Sequence, residues 1–187
     1  MTSDIVLIGP IGAGKSTLGE LLAAHLDLPQ CSMDELRWDY YKEIGYDEAI
    51  AQQKREAGGW HLQDYWKPFE SYAVGRLLAD YHGCVIDLGA GHSVYEEARL
   101  FHPVKQVLAP YANVVLLLPS PDMDESIQIL NERNSDLPDN TRDINELFVK
   151  HSSNYELAKL TVYTEGKTPA ESCDEILSQL KLSKKCN

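Results

Sequence analysis

The chain has 187 residues, and its 29 Asp and Glu against 17 Lys and Arg give a formal net charge of −12. So acidic a balance argues against nucleic acid and anionic membranes as partners, because both would repel the protein. The longest later apolar run, Val114 to Leu118, is far too short to span a bilayer. Four scattered cysteines indicate free thiols in a reducing compartment. We therefore expect a single domain over residues 1–187, located in the cytoplasm.

The first predicted element is a strand, Ile5 to Ile8, followed by a glycine-rich turn and a helix in which Leu18 and Leu22 recur at helical spacing. The turn reads GPIGAGKS from Gly9 to Ser16 and matches the phosphate-binding P-loop pattern. Its backbone N–H groups and the helix N-terminus form an anion site, to which the lysine adds a charge and the serine an Mg²⁺ ligand. The pattern predicts ATP and Mg²⁺ binding by Gly9, Gly12, Ala13, Gly14, Lys15, Ser16 and Thr17.

Four further apolar runs alternate with helical patterns along the chain. They cover Gln30 to Met33, Val85 to Leu88, Val114 to Leu118 and Leu160 to Tyr163. Strands that alternate with helices form a parallel sheet with helices on both faces. We therefore predict an α/β fold, a P-loop three-layer sandwich with a five-stranded parallel sheet.

Residues 34–83 separate the second and third strands by more chain than the crossover helix of a βαβ unit needs. We interpret this segment as a helical substrate-binding insertion. Its aromatic side chains are Trp38, Tyr40, Tyr41, Tyr46, Trp60, Tyr65, Trp66 and Tyr72. Packing onto the body accounts for most of them, and the remainder are expected to line a substrate cavity, because such cavities are mostly apolar.

Residues 119–143 form a second irregular segment after the fourth strand. A helix is predicted from Asp122 to Asn131, and residues 134–141 are rich in turn-forming side chains. One interpretation is a lid whose Arg133 or Arg142 stabilises a transferring phosphoryl group while the closed segment excludes water. The other is an ordinary exposed loop. We assign Arg133 a catalytic role in the first case.

The chain resembles the shikimate kinase family of P-loop kinases over nearly its whole length. The matching segments are LIGPIGAGKSTLGELLAAHLDLP, SMDE at 32–35, YWKPFE at 65–70, VIDLGAG at 85–91, VVLLLPSPD at 114–122 and NYELAKLTVYTEGKTPAESCDEIL at 154–177. The resemblance implies transfer of the γ-phosphoryl group of ATP to a hydroxyl of a small molecule. In that reaction Lys15 holds the β- and γ-phosphates.

The family's acceptor-binding motifs are only partly present. Its Phe-Arg-x-x-Glu appears with Lys67 in place of the arginine, and its Gly-Gly-Gly reads Gly89, Ala90, Gly91. Its arginine four residues before a tyrosine falls on His151. Lysine keeps the positive charge but loses the bidentate fork of arginine. The resemblance therefore implies substrate binding by Asp34, Lys67, Gly89, Ala90, Gly91 and His151, with an acceptor other than shikimate as our expectation.

The family's Asp-x-Asp after the second strand reads Ser32, Met33, Asp34, so the aspartate near Mg²⁺ is missing. Asp87, within the apolar third strand, is the candidate replacement, because Mg²⁺ needs carboxylates to orient its waters. Alternatively, Asp87 is a structural carboxylate hydrogen-bonded to backbone or to a helix N-terminus, with no metal nearby. We predict that Ser16 and Asp87 serve the metal and that Asp34 orients or deprotonates the acceptor, although Asp34 is also placed to act as a helix N-cap.

Two other functions share the P-loop. A nucleoside monophosphate kinase would need several arginines in its site to clamp a second phosphate. The chain has only six arginines in all, which makes this function the second choice. They are at 37, 55, 76, 99, 133 and 142. A nucleotide-binding regulatory protein would bind ATP without turnover of an acceptor. The sequence leaves both open as alternatives, and it does not indicate an oligomeric state.

Overall fold

The structure is a computed structural model that describes residues 4–137 and 140–181. Its centre is a sheet of parallel strands in the order β2-β3-β1-β4-β5. These are β1 Ile5–Ile8, β2 Gln30–Ser32, β3 Val85–Asp87, β4 Val114–Leu118 and β5 Leu160–Tyr163. Each predicted strand is present to within one residue of its expected bounds. The five-stranded parallel sheet is confirmed.

Helices connect and cover these strands. They are α1 Lys15–Leu26, α2 Met33–Glu43, α3 Glu48–Ala57, α4 His61–Asp80, α5 Ala98–Leu108, α6 Met123–Arg133, α7 Asn140–Lys150, α8 Ser152–Leu157 and α9 Pro169–Gln179, with a short 3₁₀ helix at Ala90–Ser93. In the described part of the chain, none of them has both the length and the apolar composition that crossing a bilayer requires.

Strand β1 lies in the middle of the sheet, between β3 and β4, and all of its side chains are buried. Right-handed crossovers place α1 on one face, because the chain moves from β1 out to β2, and α5 on the other, because it moves from β3 back past β1 to β4. Helix α9 packs against α1, while α4 and α8 pack against α5. The three-layer sandwich predicted from the sequence is confirmed.

The segment between β2 and β3 folds into helices α2, α3 and α4. Its aromatic side chains pack mainly on one another. The ring centroids of Trp38 and Tyr41 lie 5.5 Å apart, and those of Tyr41 and Phe69 lie 5.6 Å apart. Trp60 differs from them because it is 41% exposed. Aromatic packing thus holds α2 against α4 and fixes the wall that these helices present to the P-loop.

The predicted lid segment begins with α6, for which Asp122 is the N-cap and accepts hydrogen bonds from the N–H groups of Asp124 and Glu125. The predicted turn-rich stretch is shorter than expected, since α7 already begins at Asn140 and packs on α6. Pro138, Asp139 and the side chain of Arg142 lie outside the described part of the structure. The lid role of residues 119–143 therefore stays a prediction.

Candidate active site

The predicted site residues follow three neighbouring strands at their carboxyl ends. The P-loop follows β1, Asp34 lies just beyond β2, and the turn 89–91 follows β3. Because β2, β3 and β1 are adjacent and parallel, these segments meet at one edge of the sheet. Ligands of open α/β sheets bind at this edge. The topology therefore brings together predicted site residues that are up to about eighty positions apart in the sequence.

Two P-loop glycines are required by the shape of the loop. Gly14 has a φ of 92° and is the N-cap of α1, in a left-handed conformation that side chains rarely adopt. A Cβ on Gly9 would lie 2.5 Å from the carbonyl oxygen of Leu117 in β4. A Cβ on Gly14 would instead project into open space. The loop is thus pressed against the sheet at Gly9 and open to a ligand at Gly14.

Lys15 is buried, and its Nζ donates hydrogen bonds to the carbonyl oxygens of Gly9 at 3.0 Å and Pro10 at 2.9 Å. Burial lowers the pKa of Lys15 to about 8, and the carboxylates of Asp34 and Asp87 partly oppose that shift. The ammonium therefore lies inside the loop predicted to hold the phosphates. Both candidate carboxylates are close enough to act on its charge.

Asp87 ends β3 and is almost completely buried. Its Oδ1 accepts a hydrogen bond from Ser32 Oγ at 2.9 Å, and its Oδ2 accepts one from Gln30 Nε2 at 2.7 Å. The same amide nitrogen donates to the carbonyl oxygen of Ser16 at 3.2 Å. Burial raises the pKa of Asp87, while these two hydrogen bonds and Lys15 oppose the rise. Its partners are side chains of the neighbouring strand, not the backbone groups of the structural alternative.

The distance between Asp87 and a glycine of α1 shows which way the Asp87 side chain faces. A Cβ on Gly19 would lie 3.5 Å from Asp87 Oδ2 and 2.6 Å from Gln30 Nε2. Asp87 therefore faces α1, the helix that begins with Lys15 and Ser16, and not the helices on the opposite face. This is the orientation that a metal role requires. The role itself stays a prediction.

Asp34 lies in the first turn of α2, and its half-exposed carboxylate pairs with Arg37 Nη1 at 3.2 Å. The alternative that Asp34 acts as a helix N-cap is wrong, because the helix begins two residues earlier than that role requires and Ser32 occupies the N-cap position. Asp34 is instead free to face the space in front of the P-loop. Lys15, Ser16 and Asp34 all line the cavity that fills this space.

That cavity, here called the central cavity, has a volume of about 540 Å³. It joins P-loop residues to acceptor candidates from all three strand ends. Predicted residues in its wall are Gly12, Gly14, Lys15, Ser16, Thr17, Asp34, Lys67, Ala90 and Gly91. The wall also contains Trp66, one of the insertion's aromatic residues, some of which were expected to line a cavity. Residues not predicted are Ile11, Arg37, Gln63, Glu70, Ile144 and Phe148. The predicted nucleotide and acceptor residues therefore share one space.

Lys67 is engaged by the protein itself. Its Nζ donates to Glu70 Oε2 at 2.6 Å and to the carbonyl oxygen of Gly91 at 2.9 Å, and it lies over the rings of Tyr95 and Phe148. Glu70 is buried, and a Cβ on Gly91 would collide with it. The Lys67–Glu70 pair thus fastens α4 to the turn 89–91, and Lys67 has little hydrogen-bonding capacity left for a ligand.

The predicted residues outside the wall of the central cavity are Gly9, Ala13, Gly89, Asp87, Arg133 and His151. The side chains of the last two have partners elsewhere. His151 is the N-cap of α8, where its Nδ1 accepts a hydrogen bond from the N–H of Ser153 at 3.2 Å and burial lowers its pKa. Arg133 pairs with Glu165 at 3.1 Å and lines a smaller cavity of about 180 Å³ beside Thr17. Both side chains would have to move to reach an acceptor or a transferring phosphoryl group. Their assigned roles stay predictions.

Sequence reasoning missed two polar side chains beside the site. His92 is buried, its Nε2 lies 3.1 Å from the hydroxyl of Tyr41, and burial lowers its pKa to about 4. Asn134 donates from Nδ2 to the carbonyl oxygen of Ile11 at 3.0 Å and so holds the end of α6 against the P-loop. Its position directly after the turn 89–91 is the feature of the sequence that could have identified His92. Asn134 had no signal beyond its place in the lid segment.

Comparison with known proteins agrees with this architecture. The family model described as shikimate kinase matches residues 11–181. A shikimate kinase of Streptomyces coelicolor is 32% identical, with 95% of each chain covered, and one of Persephonella marina is 29% identical, with 95% of this chain and 99% of the relative covered.

A solved structure of the shikimate kinase from Acinetobacter baumannii in complex with shikimate superposes with a TM-score of 0.67 at 20% identity, covering 95% of this chain and 92% of that one. At this identity the likeness supports the fold alone. The family model, which spans most of the chain, carries the assignment. The chain therefore belongs to the shikimate kinase family and is an ATP- and Mg²⁺-dependent kinase that phosphorylates a hydroxyl group of a small molecule.

Proposed function

We propose that the acceptor binds in the central cavity against Asp34, and that the enzyme is not specific for shikimate. The observation that carries this proposal is the state of the family's carboxylate-binding positions. Lys67 is bonded to Glu70 and Gly91, and His151 caps α8 and is not in the cavity wall. A buried anion bound without its donors loses a few kcal/mol of affinity. An acceptor recognised mainly through those two positions would bind weakly.

The residues present fit ATP. Gly14 opens the loop toward the central cavity, and Lys15, Ser16 and Thr17 line the same wall. The N-terminus of α1 and the N–H groups of the loop are positioned to bind β- and γ-phosphates. Lys15 would exchange its bonds to the carbonyl oxygens of Gly9 and Pro10 for bonds to phosphate oxygens.

The residues also fit Mg²⁺, which when bound would neutralise phosphate charge and organise the transfer. Ser16 supplies the hydroxyl that P-loop proteins use as a ligand. Asp87 is the second candidate, because its carboxylate faces α1 and is tied through Gln30 to the backbone of Ser16. A carboxylate held in this way is suited to orient metal-bound water. We therefore propose that Asp87 takes the metal role of the aspartate that Ser32 replaces.

The chemistry asked of the protein is mainly positioning and charge neutralisation. Asp34 would accept the hydrogen bond of the acceptor hydroxyl and take its proton as the new bond to phosphorus forms. Lys15 would hold the transferred group in line. Among the described residues lining the central cavity, Arg37 is the sole arginine, which disfavours a second phosphate clamp of the nucleoside monophosphate kinase type.

An assay of ADP release over a panel of hydroxylated metabolites that includes shikimate tests the proposal. We expect at least one acceptor to be used with a kcat/KM well above that for shikimate. Shikimate emerging as the best substrate would overturn the specificity proposal. Nucleotide binding without turnover of any acceptor would instead favour the regulatory alternative.

A further inference from the structure

Arg37 lies on α2, one turn after Asp34, and lines the central cavity. The group lies 4.6 Å from the ring centroid of Trp38 and 5.9 Å from that of Trp66. Stacking on indole rings holds a guanidinium flat without consuming its N–H donors. Arg37 is therefore held in position while its side chain remains 26% exposed.

The donors of Arg37 are only partly used. One contact runs from Nη1 to the carboxylate of Asp34, and the buried Nε has no hydrogen-bond partner among the described residues. In the wall of the same cavity, the buried Oε1 of Gln63 also lacks a partner in the described structure. Buried polar atoms are nearly always paired. The side chains of Arg37 and Gln63 therefore have unused hydrogen-bonding capacity beside this cavity, which a polar ligand can take up.

The other cations of the cavity are committed. Lys67 binds Glu70 and Gly91, and Lys15 lies within the P-loop, where the phosphates of ATP claim it. Arg37 is the remaining positive group in the described cavity wall. A planar guanidinium binds carboxylates and phosphates through two parallel hydrogen bonds. The chemistry available at this wall is thus recognition of an anion.

We propose that Arg37 is the specificity-determining residue of the acceptor site and binds a carboxylate of the hydroxylated acceptor. This inference rests on the proposed function, since it places the acceptor hydroxyl at Asp34. Side chains three residues apart on a helix have Cβ atoms about 5–6 Å apart. The acceptor is therefore compact, with its hydroxyl and its anion a few bonds apart.

The pairing of Arg37 with Asp34 gives this arrangement a further property. An arriving anion competes with Asp34 for the guanidinium and releases the carboxylate to the acceptor hydroxyl. A neutral acceptor leaves the Asp34–Arg37 pair intact. Discrimination against neutral analogues is therefore expected both in binding and in the freedom of Asp34 to contact the acceptor hydroxyl.

The test compares small hydroxy acids with their carboxamides as acceptors, in pairs, by ADP release. The variants are Arg37→Gln and Arg37→Lys, with Arg55→Gln as the matched control, because Arg55 is exposed on α3 and contacts Gln52. We expect Arg37→Gln to raise KM for the best acid by about 10- to 100-fold while leaving KM for its amide unchanged. Arg37→Lys should recover part of the loss, and Arg55→Gln should change neither KM.

Binding is measured separately, by tryptophan fluorescence of the ADP-loaded protein, since Trp38 and Trp66 flank the guanidinium. ADP binding that is normal in Arg37→Gln, together with loss of acid binding, supports the proposal. Equal binding of acid and amide by the unaltered protein overturns it, as does a complete lack of acid binding across the panel. Bound acid with no ADP release contradicts the proposed kinase site at Asp34 but not the anion role of Arg37.

Discussion

The hydroxyl of Ser32 donates a hydrogen bond to the carboxylate of Asp87, 2.9 Å away across the β2–β3 pair, in which the two residues are register partners. The serine thus stands where the family has a metal-binding aspartate, and a carboxylate stands one strand away. Two neighbouring strands that end at the P-loop can supply a carboxylate from either position. The proposal that Asp87 takes over the metal role of the aspartate replaced by Ser32 can therefore be tested by mutation.

We predict that Asp87→Asn raises the Mg²⁺ concentration needed for half-maximal ADP release by about 10- to 100-fold, the usual cost of losing a group that orients metal-bound water. Asparagine keeps the size of the side chain, and it can still accept a hydrogen bond. Ser32→Ala is the control, because it removes a partner of Asp87 and leaves the carboxylate. An Mg²⁺ titration of Asp87→Asn that matches the unaltered protein would show that the metal carboxylate lies elsewhere.

We predict that Lys15→Ala abolishes ATP binding while the protein stays folded. The bonds that Nζ makes are to carbonyl oxygens of its own loop, so the side chain serves the loop and its ligand more than the core. Calorimetric titration with ATP measures the first effect, and thermal unfolding checks the second. Lys42→Ala, which alters an exposed lysine of α2, should bind ATP normally. Undiminished ATP affinity in folded Lys15→Ala protein would refute the assignment.

The lowered pKa of Lys15 predicts opposite pH trends for stability and for ligand binding. Between about pH 8 and its ordinary value of 10.5, the unfolded chain binds more protons at this residue than the folded protein, so the contribution of Lys15 to stability rises with pH. Phosphate binding needs the ammonium. The affinity for ADP should therefore fall above pH 8, by at most about tenfold per pH unit.

Titration of ADP at several pH values measures this trend. Lys15→Arg, if it binds ADP, is the control, because a guanidinium stays protonated throughout the range. A decline of the same steepness in both proteins would assign the pH dependence to another group.

We predict that Lys67→Met destabilises the protein by about 3 kcal/mol, because it leaves the buried carboxylate of Glu70 without its cation. Chemical denaturation measures the change in the free energy of unfolding. The double variant Lys67→Met with Glu70→Leu should regain much of the loss, since no buried charge then remains unpaired. If the single variant is as stable as the unaltered protein, Lys67 is available for a ligand after all.

The sheet could be predicted because each strand is a local pattern. Ile5 to Ile8 and Val114 to Leu118 are apolar throughout, as strands covered on both faces must be. The P-loop was equally local. Its context between strand and helix left little freedom in where Lys15 and Ser16 would lie.

Side-chain partners could not be predicted in the same way. The amide of Gln30, a residue that belongs to no motif, joins Ser16 to Asp87, and the three residues are distant in sequence. Lys67 was assigned to the acceptor from its place in a family motif, but the structure shows it bonded to Glu70. Such pairings depend on which helix faces which strand end, and a single sequence does not state that.

The contacts of the P-loop also determine when, during synthesis of the chain, this loop can reach its folded conformation. Gly9 packs closely on the carbonyl oxygen of Leu117, and the carbonyl oxygen of Ile11 accepts a hydrogen bond from Asn134. During synthesis, the phosphate-binding motif is therefore made first, and the segments that contact it are made much later. Contacts so distant in sequence form slowly, because a long loop must close before they gain anything. A nascent chain that ends before β4 would carry the whole motif and yet lack the surface that gives it its shape.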